Sequence, residues 1–316
     1  MHVIDNKIDF FFIKFPIIFP ILYCACLYLF PNYEYLILLF TILILAEPHF
    51  GATWPFLTSE RNHEMIINKK IEFIILPILI LFFSVVFFFL FKKEFLLFFF
   101  VANMYHVTRQ STGVSKLYIK DVKEKKLHVS LIYTYNIILF LVGLLRFYLP
   151  IISNDKLLIL NLILITIFII IIMFCYLRFK KIDNLFTLST GLLIFFPIAF
   201  VNNPVHAIIM GVTMHYSQYL ILTSAVGLRR IQEKNVIKKG SLLKDYLVKF
   251  IGIIFIYSII MTLFSYFGKS DSYFLKELIL IPIVFQLLHF YFDGLLWKFS
   301  LKENRNNTLK YLLIKS

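Results

Sequence analysis

The chain has 316 residues, 60% of them hydrophobic, with a mean hydropathy of +0.84 and a formal net charge of +14. A soluble domain averages about 45–50% apolar residues. Here apolar stretches of roughly 18 or more residues, each long enough to cross a bilayer, recur along the chain, which excludes a soluble globular protein. The apolar runs do not alternate in polarity, which excludes a transmembrane barrel, and the lysines cluster between the runs, so the positive charge implies no nucleic-acid partner.

In chain order, the pattern predicts an all-α, polytopic transmembrane bundle. It is a single domain over residues 1–316 with ten spans: 10–30, 35–57, 71–91, 94–113, 129–150, 157–177, 184–202, 204–226, 246–267 and 274–297. The first run is too long for a removable signal peptide, is interrupted by Lys14 and lacks a small-x-small cleavage site. Pro204, after Asn202 and Asn203, marks a turn and a helix start. With the N-terminus in the cytoplasm, 26 of the 32 basic residues fall on the inner side and 6 on the outer. That is the bias expected of a correct count, with both termini cytoplasmic. Cys24, Cys26 and Cys175 all lie in apolar runs and form no disulfide framework.

Four histidines stand inside these spans. His49, His106, His215 and His289 lie on the second, fourth, eighth and tenth, all running from outside to inside. At 1.5 Å rise per residue they fall within roughly one to two helix turns of one depth. An ionisable side chain in hydrocarbon is a functional-site candidate by default, and neutral imidazole is the commonest metal ligand. The expected site is therefore one buried metal ion held by these four residues. Glu47, Gln110 and Asp293 are expected beside them as supporting groups. Gln110 and Asp293 each sit one turn after a histidine, and Asp293 also suits direct ligation. Phe50, Trp54, Tyr105, Tyr216, Tyr219 and Tyr291 are expected to line an apolar substrate channel. His206 reads as an interfacial residue, and His2, His63 and His128 receive no role.

Imidazoles suit zinc, copper, iron or nickel. The chain has no HExxH, no clustered histidine boxes and no Gly-rich phosphate loop. A buried site of this type suits Fe(II) acting on a lipophilic small molecule drawn from the membrane lipid. Single buried histidines on several helices, with Pro48-His49 as an early element, His106 as a second, His215 in a polar helix and His289 with Asp293 near the C-terminus, distantly resemble the Brp/Blh-type β-carotene 15,15'-dioxygenases. In this chain Phe50 follows His49, where that family has glycine. The resemblance implies a non-haem iron dioxygenase of a bacterial or archaeal inner (cytoplasmic) membrane, cleaving a carotenoid to retinal. Two other classes use the same residues. One is a haem b electron-transfer protein with axial histidines; the other is a transporter or structural membrane protein with Glu47, Arg109 and Asp293 in a polar pathway.

Overall fold

The structure, a computed structural model, describes residues 2–152, 156–234, 241–268 and 275–312, without the side chains of residues 61, 234, 241–247 and 249. Residue 274 of the tenth predicted span and residues 235–240 of the basic loop before the ninth lie outside the described residues. Among the described residues the regular structure is helical, with no strand.

In chain order the principal helices are α1 (Asn6–Lys14), α2 (Ile18–Leu29), α3 (Pro31–Leu57), α4 (Glu60–Asn68), α5 (Ile71–Leu90) and α6 (Lys92–Tyr118). They continue with α7 (Val122–Tyr148), α8 (Leu157–Phe179), α9 (Ile182–Leu193), α10 (Pro204–Lys234), α11 (Ser241–Phe267) and α12 (Leu275–Leu296). Six helical segments among the described residues are long and apolar enough to cross a membrane, or seven if the bent pair α1 and α2, at 56° to each other, forms one span. The protein therefore has the helices of an integral membrane protein.

With that pair counted as one span, the predicted count of ten exceeds the seven at three places. The helices α6 and α10, with 27 and 31 residues, are long enough, but they carry the polar runs around His106 and His215 that dilute their apolar character. The seventh predicted span breaks after the 12 residues of α9, where Phe195 leaves helical geometry and a 3-10 turn, Phe196–Ala199, follows around Pro197. Twelve residues of α-helix extend about 18 Å, short of a bilayer core of about 30 Å.

Two compact units divide the chain. The first comprises residues 39–103 and 219–316, and the second residues 2–38 and 104–218; the boundaries fall inside α3, α6 and α10.

In the first unit, Lys92 pairs with Glu277 at 3.3 Å. At the other end of its helices, Arg230 donates to Ser59 Oγ, Thr308 Oγ1 and the Asn307 carbonyl. The Tyr291 hydroxyl donates to the Glu72 carbonyl at 2.8 Å.

In the second unit, Arg146 donates to the Ile198 carbonyl and to Asn202 Oδ1, both at 2.6 Å. The buried Asp9 accepts from the backbone N–H of Val3 and from the Tyr118 hydroxyl. Glu124 accepts from Asn184 at 2.7 Å and faces Lys181 at 3.4 Å. The helix α10 begins at Pro204, and the Asn203 side chain caps it by accepting from the Val205 N–H, the role expected of an N-cap asparagine. Asp121 caps α7 in the same way through the Glu124 N–H, and this bond holds its carboxyl below the usual carboxylate range.

Gly211 allows α10 to meet the break after α9. A β-carbon there would overlap the Ile194 carbonyl oxygen, with Pro197 Cδ also close at 3.2 Å. Backbone cannot step aside as a side chain can. Gly211→Ala is expected to destabilise the protein by about 1–3 kcal/mol, the usual cost of overpacking, read as a lower thermal midpoint in detergent. Gly113→Ala meets no atom within 4 Å and is the matched control.

Candidate metal centre

In the first unit the site begins with Pro48. Proline has no N–H to donate and its ring clashes with the carbonyl four residues earlier. The chain answers with a π-helical turn over Ile42–Ala46, closed by a bond from the Glu47 N–H to the Ile42 carbonyl. Regular helix resumes with Ala52 N–H donating to the Pro48 carbonyl at 2.9 Å. Such π-bulges concentrate at functional sites. This one sets His49 and Thr53, four residues apart, on one face of α3.

His49 is fully buried, with its ring 4.5 Å from that of His289 and 4.4 Å from that of Tyr219. Phe50 closes one side, 5.1 Å from the His289 ring. Thr53 Oγ1 lies 2.6 Å from His289 Nδ1 and 2.9 Å from the Tyr219 hydroxyl. The Tyr219 hydroxyl donates to Asp293 Oδ1 at 2.7 Å.

With Asp293 ionised, these contacts fix the hydrogens. Tyr219 spends its one hydrogen on the carboxylate. Thr53 must then donate to Tyr219, and His289 must donate from Nδ1 to Thr53. With His289 neutral, this places the Nε2 lone pair 3.7 Å from Asp293 Oδ2. A cation draws two such acceptors together, either a proton on the imidazole or a metal ion held by both. Ligand atoms each about 2.1 Å from one ion are roughly 3.0–3.6 Å apart at angles of 90–120°, so a small closure brings this pair into range. Hydrogen bonding from a ligand's second nitrogen is also how metal-bound histidines are oriented. Asp293 thus fits direct ligation.

The second unit holds the other pair. His106 on α6 and His215 on α10 are both buried, with rings 5.3 Å apart and perpendicular. Each offers a nitrogen within 4.8 Å of the other. The neighbouring Ser217 and Gln218 donate to the Phe12 and Ile13 carbonyls, which ties this part of α10 to α1. Histidine and aspartate groupings of this kind can bind a metal ion.

The remaining predicted residues are placed as follows. Glu47 is buried and hydrogen-bonds Gln286, and Gln110 is half-buried one turn after His106. Tyr216 is buried beside His215. Trp54 packs on Phe285, 5.5 Å between rings. Tyr105 is 59% exposed on the outside of its helix, and Tyr291 gives its hydroxyl to the Glu72 carbonyl. Tyr219 is part of the hydrogen-bond chain itself.

Thr53 escaped the sequence reading, although its i+4 spacing from His49 was a usable signal. His206 is buried, with Nδ1 2.7 Å from the Tyr23 hydroxyl and Nε2 3.9 Å from Glu34. His128, given no role, is buried beside Ser115 at 3.4 Å.

Comparison of the chain with protein-family models, with curated proteins and with solved structures found no match.

Proposed function

We propose that this protein is a ten-span membrane metalloenzyme. In this reading His49, His106, His215 and His289, with Asp293, hold one Fe(II), and the enzyme oxidises a lipophilic molecule taken from the bilayer. The observation that carries the reading is His289 Nε2 facing Asp293 Oδ2 at 3.7 Å at the end of a directed hydrogen-bond chain. A carboxylate beside Nε2 favours a non-haem ion over haem b, whose iron would need that nitrogen with no second donor beside it.

Helix-end contacts support ten spans with cytoplasmic termini. Lys92 with Glu277, and Arg146 with Ile198 and Asn202, join ends that the charge bias assigns to the outer side. Asp9 with Tyr118, Glu124 with Asn184, and Arg230 with Asn307 join ends that it assigns to the cytoplasm. An inner bacterial or archaeal membrane and a carotenoid substrate rest on the distant resemblance.

Iron would supply activation of O2. The protein's own part is to hold the imidazoles, fix the His289 tautomer through Thr53 and Tyr219, and keep water out with Phe50 and its neighbours.

Elemental analysis with a visible spectrum of the purified protein tests this. One iron per chain and no Soret band is the expected result. A Soret band establishes haem instead, and metal-free, well-folded protein after expression in iron-rich medium overturns the metal reading.

A further inference from the structure

The helix α12 carries a stripe at four-residue spacing: His289, Asp293 and then Trp297, which ends the helix. Residues so spaced share one face, and all three meet Tyr219. Tyr219 is fully buried. On one side its ring stands 4.4 Å from that of His49 and 5.3 Å from that of His289. On the other side Trp297 lies 5.8 Å away between ring centres, and its indole N–H reaches the Tyr219 hydroxyl. Trp297 is half-buried and stacks flat on Phe56, at 5.5 Å and 6°. Lys298 and Ser300, just beyond it, are exposed. A tyrosine and a tryptophan in contact thus lead from the histidines to the end of α12 that the charge bias assigns to the cytoplasm.

Tyrosine and tryptophan are the aromatic side chains most easily oxidised by one electron. A phenol gives up its electron readily only when its proton leaves as well, because the oxidised phenol is a strong acid. Tyr219 has the acceptor in place, Asp293 Oδ1 at 2.7 Å. Thr53 Oγ1, at 2.9 Å, stays as a donor to the oxygen that remains. Moving the proton with the electron keeps an isolated buried charge from forming on the ring. Packing alone requires neither the carboxylate at the hydroxyl nor the indole beside it.

We propose that Tyr219 and Trp297 form a one-electron relay between the histidine cluster and the end of α12. The proposal rests on the iron reading for its oxidant, which is the iron centre after reaction with O2 in the absence of substrate. In the first step Tyr219 gives one electron to that oxidant and its phenolic proton to Asp293 Oδ1, leaving a neutral phenoxyl radical. In the second, Trp297 gives one electron to the phenoxyl, which takes its proton back from Asp293. The oxidised indole is then reduced from the aqueous side by a one-electron donor of the ascorbate class. The net change is one electron from that donor to the oxidant, and the imidazoles are spared oxidation.

Two measurements test the relay. In the first, substrate-free, iron-loaded protein in nanodiscs is mixed with O2 and ascorbate, frozen at intervals and followed by EPR. Trp297→Phe keeps Tyr219, Thr53 and Asp293 but removes the exit. Its phenoxyl signal should therefore decay about 10-fold more slowly than that of the wild type, the effect of about 1.4 kcal/mol on the barrier. Trp54→Phe, whose ring packs on Phe285, and Tyr257→Phe, whose ring lies over Gly51, should match the wild type.

The second measurement needs no metal, and it separates the relay from any loss of iron in Tyr219→Phe. The chain has two tryptophans, so Trp54→Phe leaves Trp297 alone. Azide radicals made by pulse radiolysis oxidise it in chelator-stripped protein. The indolyl absorption is expected to give way to phenoxyl absorption at a rate independent of protein concentration, and adding Tyr219→Phe should abolish this transfer.

No transfer, transfer that survives Tyr219→Phe, or a phenoxyl signal absent from or unchanged in iron-loaded Trp297→Phe overturns the relay and leaves the two rings as core packing. Transfer to Tyr219 in a protein that never binds iron sinks the metal reading and leaves the Tyr219–Trp297 couple standing.

Discussion

His289→Ala is expected to purify with less than about one tenth of the wild-type iron, because the substitution removes both the Nε2 that faces Asp293 and the anchor that Thr53 gives the ring. Asp293→Asn separates ligand from scaffold. It keeps an acceptor for the Tyr219 hydroxyl but removes the charge that faces Nε2 across 3.7 Å. Metal retention should fall by about 10- to 100-fold, or about 1.4–2.7 kcal/mol, with little change in thermal midpoint. Thr53→Val leaves all the ligands in place and releases the His289 tautomer, so its loss should be smaller than that of Asp293→Asn. The control is His206→Ala, another buried histidine, whose partners are Tyr23 and Glu34; it should keep its iron. If His289→Ala and His206→Ala retain equal metal, the hydrogen-bond chain is helix packing and the centre is not where these residues stand. A graded order, with His289→Ala lowest, then Asp293→Asn, then Thr53→Val, is a signature that general destabilisation would not reproduce.

The sequence made some of this legible for a definite physical reason. A span must hide its backbone and cannot afford stray polar groups, so the polar residues that remain stand out. His49 with His289, and His106 with His215, were visible as intramembrane histidines at one depth, and each pair is in contact. The direction of Glu47 was not legible. Its place two residues before His49 suggested support for the histidine, whereas a two-residue step on a helix turns the side chain to another face, toward Gln286 and Tyr257. Thr53 was passed over because a threonine in a span is usually satisfied by its own helix; here it bonds two side chains instead. Tyr257 carried no signal at all, since the glycine that admits it belongs to a different helix. Among the described residues six or seven segments are long and apolar enough to cross a membrane where ten spans are predicted, and the difference falls where polar function and membrane crossing compete. The helices α6 and α10 bear a histidine pair and lose apolar character for it, and the break after α9 replaces helix with a 3-10 turn that no periodicity announces.

The chemistry has its own decisive experiment. Membranes containing the wild-type protein, loaded with β-carotene and exposed to O2, are expected to lose polyene absorbance and release an aldehyde. The same membranes with His106→Ala should show none of this at equal protein level. The expectation depends on two features that fail independently. Iron must be held with positions open to O2, and a substrate almost insoluble in water must reach it through the apolar side of the bundle. Phe50 and Tyr219 stand against the histidines of the first unit and Tyr216 beside His215 of the second, where flat aromatic walls suit a rigid polyene. Tyr105, exposed on its helix, and Tyr291, bonded to the Glu72 carbonyl, should tolerate substitution by phenylalanine without loss of turnover. Intact β-carotene after incubation with folded, iron-loaded protein removes carotenoids as the substrate and moves the search to other lipophilic molecules. Bleaching that persists in His106→Ala would mean that the second-unit pair does not serve the reaction, and that His49, His289 and Asp293 suffice as the iron's protein ligands.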